Sequence, residues 1–138
     1  MEKIEMLEER LNTLTEQVRL LSICKVTSDE FPYYNFLVTS GITSTQRSSI
    51  NLFLLVLSEL IKGKITDRHI KLLKELDAEF VIDENLELNY QEVMNTFKKI
   101  LDVETTGLIE EMFDSMLEQG VKVNISNHLK QNMVFDQL

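Results

Sequence analysis

The stretch Thr43-Ser-Thr-Gln-Arg-Ser-Ser-Ile-Asn-Leu-Phe-Leu-Leu-Val-Leu-Ser-Glu-Leu-Ile-Lys-Gly63 decides the fold. Thr43 and Gln46 have capping-box spacing, in which the hydroxyl takes an N–H of the first turn and the amide reaches back. Between them and Gly63 lies Leu52–Leu57, six apolar residues in succession and the longest such run in the chain. A helix apolar on all sides is a buried one, so a helix over about Ser44 to Lys62 is predicted as the centre of the fold, stopped by Gly63.

Helices extend outward from it in both directions. Phe31–Pro32 sets up a short helix with Tyr33, Phe36 and Leu37 on its apolar face, since proline is tolerated in a first turn. Gly41 supplies the left-handed residue that ends it. Val26 to Glu30 reads as a connector. Beyond Gly63, Thr66 opens a helix with Ile70, Leu72, Leu73 and Leu76 inward. Ala78 to Leu88 reads as an ordered loop, with two brief extended pieces as the alternative. Asn89 followed by Glu92 caps a helix carrying Tyr90, Val93, Met94, Phe97, Ile100 and Leu101 on one face. Thr105 or Thr106 starts the next, whose pairs Leu108–Ile109, Met112–Phe113 and Met116–Leu117 recur every four residues until Gly120. Val121, Val123 and Ile125 alternate like a strand, and Ser126 is placed as the cap of a last helix from Asn127 to about Val134. Met94, Met112, Met116 and Met133 fit core filling better than an adaptable surface. The fold class expected is all-α, a compact bundle of five to seven helices.

The N-terminal segment has a different rhythm. Ile4, Leu7, Leu11, Leu14, Val18 and Leu21 alternate steps of three and four over three heptads, the first of each pair at a and the second at d. The stripe takes two positions in seven, narrower than the face that usually docks onto a globular core. A narrow seam suits another helix, so self-association as a homodimer is the preferred expectation, and packing within the chain the alternative. Three heptads alone are marginally stable and need support from the rest of the domain. The flanking Lys3, Glu8, Arg10, Thr15 and Gln17 are too mixed to choose a parallel or antiparallel pair. The chain thus divides into a heptad helix, 1–25, and an acidic helical body, 26–138.

The body earns the word acidic. The full chain of 138 residues has 23 acids, 14 bases and a formal net charge of −9. Between Glu75 and Val121, thirteen acids face two bases, Lys98 and Lys99, for a net of −11. Solvated helix faces explain much of this, because charge of this kind bears on solubility and association rather than fold. The sharper expectation is a protein partner with a basic surface, met by Glu104, Glu110, Glu111, Asp114 and Glu118. Nucleic acid is disfavoured as a partner, since phosphate binding needs a basic footprint. The one small basic cluster, Lys62, Lys64, Arg68, Lys71 and Lys74 around the Gly63 break, supports a DNA-binding regulator only weakly.

Catalytic chemistry finds little purchase. His69 and His128 are far apart in sequence, and no His or Cys pair has zinc-ligand spacing. Cys24, the single cysteine, lacks a neighbour that would activate it, and its solitude fits a reducing cytoplasm. Asp83-x-Asn85-x-Glu87 begins like a calcium loop but has Leu88 and Met94 where glycine and a bidentate acid are needed. No Gly-rich phosphate loop and no run of ~18–20 apolar residues for a membrane span occurs. No cofactor, metal or catalytic residue is assigned, and a non-enzyme is expected.

Phe31-Pro-Tyr-Tyr-Asn-Phe-Leu-Val-Thr-Ser-Gly-Ile-Thr43, following a heptad helix and preceding a capped central one, resembles the YhaI-like family of small helical proteins of Bacillus and its relatives. Met116-Leu-Glu-Gln-Gly120 is similar to that family's helix ending. The resemblance covers roughly Met1 to Ile61 and the remainder loosely, with the acidic stretch Ala78 to Leu88 as an insertion. It implies a helical cytoplasmic protein without catalytic residues to carry over. Small proteins of this sort also occur in phage genomes, which makes a phage-encoded inhibitor of a basic host toxin or defence nuclease the alternative function.

Overall fold

The computed structural model describes residues 2–25 and 30–136, with the backbone alone for 21–25. The side chains of Leu21 and Cys24, and the connector over 26–29, lie outside the described residues. Seven α-helices are present among those described: α1 Glu2–Lys25, α2 Pro32–Thr39, α3 Ser44–Ile61, α4 Asp67–Glu75, α5 Tyr90–Leu101, α6 Gly107–Gln119 and α7 Val123–Asn132. The fold is all-α, 73 % helical and without a strand among the described residues.

α3 begins with the expected reciprocal cap. The Thr43 hydroxyl accepts the Gln46 N–H at 3.1 Å, and the Gln46 side-chain oxygen accepts the Thr43 N–H at 2.9 Å. Ile50, Phe53, Leu54, Val56, Leu57 and Leu60 of this helix are buried. Phe53 meets Phe97 of α5 edge-on at 5.0 Å between ring centres, and Phe97 meets Phe113 of α6 at 5.4 Å and 89°. All three rings are sealed from solvent. Such pairs add about 0.5–1.5 kcal/mol beyond their burial. Met94, Met112, Met116 and Met133 are buried with them.

Leu55 departs from the expectation of burial all round, being 58 % exposed. Six successive helical residues sweep more than a full circle, whereas α4, α5 and α7 pack against α3 without enclosing it. α4 is also turned slightly from its expected face. Leu73 is buried and Leu72 and Leu76 are partly so, while Ile70 is exposed. Its cap uses an unusual group, the His69 ring Nδ1 accepting the Thr66 N–H at 3.3 Å where Glu or Gln is customary.

Between α4 and α5 the chain is an ordered loop, as expected, with a 3-10 turn at Glu79–Val81 and one antiparallel bridge between Ile82 and Leu88. The Asp83 carboxylate closes it by accepting the N–H groups of Asn85 and Glu87 at 2.9 and 3.0 Å. That acid is committed to its own backbone.

Thr106 is the N-cap residue of α6, as expected; its hydroxyl makes no cap bond there and accepts the Asp136 N–H at 2.7 Å. Two expectations beyond it are corrected. The strand-like Val121–Ile125 belongs instead to the approach and first turn of α7, which begins at Val123. Lys122 in a left-handed conformation (φ 48°) permits this tight turn after Gly120 (φ 81°). Ser126 is therefore inside the helix and buried rather than capping it.

α2 is anchored at long range. Its N-cap residue Phe31 offers no side-chain acceptor, and Gln119 at the end of α6 supplies one. The Gln119 Oε1 accepts the N–H groups of Tyr33 and Tyr34 at 2.9 and 3.1 Å. The Phe31–Thr43 and Met116–Gly120 segments thus touch each other.

Truncating the central ring, Phe97→Ala, is expected to destabilise the protein by about 3–5 kcal/mol in urea denaturation. Phe80→Ala, at a residue 74 % exposed, should stay within about 0.5 kcal/mol. Equal effects would contradict this placement of the core.

Candidate functional site

The described seam residues of α1, Ile4, Leu7, Leu11, Leu14 and Val18, are 56–64 % exposed. Every side chain from Glu2 to Leu20 is exposed, so the helix stands off the core while packing against α2. Met6 and Leu20, on the flank beyond the g positions, widen the apolar surface more than the heptad count alone suggests. Arg19 grips Glu16 through two bonds of 3.1 and 2.7 Å, and its guanidinium holds that carboxyl below the ordinary glutamate range. The pair lies outside the seam and leaves it apolar.

The acids chosen as a partner surface are only partly brought together. Glu111, Asp114 and Glu118 are exposed at helical spacing on α6, opposite the buried Met112, Phe113 and Met116. Glu110 is half-buried, and Glu104 lies in the turn before the helix. Lys130 of α7 pairs with Asp114. Glu111 and Glu118 are left as the centre of that face.

One surface escaped the sequence reading. Phe31, Tyr34 and Val38 are exposed along α2, and Leu55 of α3 is exposed as well. The Phe31 and Tyr34 rings stack at 5.9 Å and 18°. A hollow of about 590 Å³ opens between the helices, floored by Tyr33, Tyr34, Leu52 and Leu55, with Arg47 and Lys122 also lining it. Its signal was available: 31, 34 and 38 have the i, i+3, i+7 spacing of a second stripe on α2.

A further pair of hollows, about 430 and 310 Å³, meets at His128 and Ile61. Three of its polar side chains are engaged in internal contacts. The Ser58 hydroxyl donates to the Leu54 carbonyl at 2.8 Å, and the Tyr90 hydroxyl lies 2.6 Å from His128 Nε2. Among the described residues no cluster of three or more His, Cys, Asp or Glu could hold a metal ion. No helix of the described residues is long and apolar enough to cross a membrane.

No family model, curated protein or solved structure matches the chain.

Tyr33 provides a check on this geometry. Burial pushes its phenol above the ordinary value of 10.0, with the nearby Arg47 charge acting in the opposite sense. A raised folded pKa means the folded state holds this proton longer, so stability is full below pH 10 and falls as pH rises past it. In a phenolate absorbance titration of the native protein, Tyr33→Phe should remove a late-ionising group. Loss of an ordinary one would place Tyr33 in water instead.

Proposed function

We propose that the chain is a non-enzymatic interaction module of the cytoplasm, homodimeric through the α1 seam, that binds a basic protein partner on the α6 face. The observation that carries this reading is the exposure of an uninterrupted apolar stripe. Contiguous apolar surface left in water marks an interaction site more often than an accident of folding.

Magnitudes favour pairing. Each seam side chain gains ~1.5–3 kcal/mol on full burial. Five described residues from each copy thus offer roughly 15–30 kcal/mol as an upper bound. Association costs ~4–15 kcal/mol in lost freedom. What remains supports a dimer without requiring a very tight one.

The double variant Leu11→Glu, Leu14→Glu should give 16.1 kDa in light scattering where the unmodified protein gives twice that mass. The same variant should keep the helicity of α2–α7, because neither leucine touches the core. An unchanged mass would remove the seam from the account.

The net −11 stretch supports the second reading, a phage-encoded inhibitor seated in the basic groove of a nucleic-acid enzyme. Exposed charges are screened over ~8–10 Å at ordinary ionic strength, so such a complex weakens with salt. In affinity capture, a stoichiometric basic protein should be lost at high salt and lost again with Glu111→Lys, Glu118→Lys. Capture indifferent to both would exclude the acidic face.

A further inference from the structure

Charge is unevenly spread along α1. From Glu2 to Arg10 four carboxylates face two bases, and from Asn12 to Lys25 one carboxylate faces two. A parallel pair would set the two acid-rich halves side by side. An antiparallel pair sets each beside the basic half of the other, and the helix dipoles then oppose each other favourably.

The body adds a second consideration. α1 packs against α2. α2 exposes Tyr34 and Val38, next to the hollow that Leu55 floors and that Arg47 and Lys122 line. A partner helix running antiparallel along α1 brings its N-terminal end toward this patch. A parallel one brings its own C-terminal end, which is basic and would meet Arg47 and Lys122 with like charge.

We infer that α1 pairs antiparallel with α1 of a second copy, whose acid-rich first turns (Glu2, Glu5, Glu8 and Glu9) seat against the basic-lined Tyr34–Leu55 patch. The inference rests on self-association through the seam and specifies its geometry. Leu11 then meets Leu14 of the second copy, Leu7 meets Val18, and residue 3 lies opposite residue 22. The patch supplies the added apolar burial that three heptads lack. The two acidic bodies come to lie at opposite ends of a rod about 36 Å long, well beyond the screening length. A parallel pair would instead gain a Lys3–Glu8 contact from each copy, of the exposed kind that contributes little.

Pulsed dipolar spectroscopy on the full-length dimer tests this with a nitroxide on the native Cys24, and separately on Lys3→Cys in a Cys24→Ser background. The antiparallel register separates residue 24 from its copy by roughly 23 helical positions and residue 3 from its copy by roughly 19, so the two labels should report about 35 Å and about 29 Å between copies. Distances under about 20 Å at both, with the dimeric mass kept, would overturn the orientation and leave self-association standing. A dimeric mass without a defined distance at either label would also overturn it. A monomeric mass would overturn self-association along with it. Arg47→Glu should weaken the dimer several-fold at low salt and much less at high salt; no change at either would remove the patch as the seat of the acidic turns.

Discussion

The edge-to-face chain Phe53–Phe97–Phe113 is the contact on which the other helices depend. It joins α3, α5 and α6 through three rings with no exposed surface, and interiors this dense respond to the loss of even a methylene. α6, fixed in this way, presents Gln119 to the start of α2 and Met116 to Ser126 of α7. α2 in turn is where α1 packs. The position of the exposed seam relative to the body therefore traces back, through one amide cap, to three phenylalanines.

Local signals in the chain were legible where the interactions themselves are local. Thr43 with Gln46, Asn89 with Glu92 and the glycines at 41, 63 and 120 each act within a few residues, and each does what its spacing implies. Long-range partners left no such trace. Thr106 looks like a cap, but a backbone N–H thirty residues away claims its hydroxyl. Gln119 looks like a surface residue at a helix end, yet it caps a helix more than eighty residues earlier. Lys122 in the left-handed region could not be anticipated either, since nothing in a lysine favours that conformation.

The candidate surfaces divide along the same line. Heptad spacing predicts which face of α1 is apolar, and the structure adds that this face is in water. Leu55 shows the converse limit. Composition made the middle of α3 uniformly apolar, but burial needs a neighbour on every side, and the number of neighbours is a property of the whole bundle. The acids of α6 were visible as charges, whereas the Lys130 pairing that occupies Asp114 was not. The result is a small helical body with an apolar helix, an acidic face and an exposed Tyr34–Leu55 patch as its outward features.

The most direct test of the seam is amide hydrogen exchange across α1, followed over a wide range of protein concentration. A lone exposed helix of this length opens readily, while a paired one is protected in proportion to the dimer present. Slow exchange over Ile4–Val18 at high concentration, giving way to fast exchange on dilution while α3 and α5 stay protected throughout, is the predicted result. Fast exchange over Ile4–Val18 at every concentration would contradict the account.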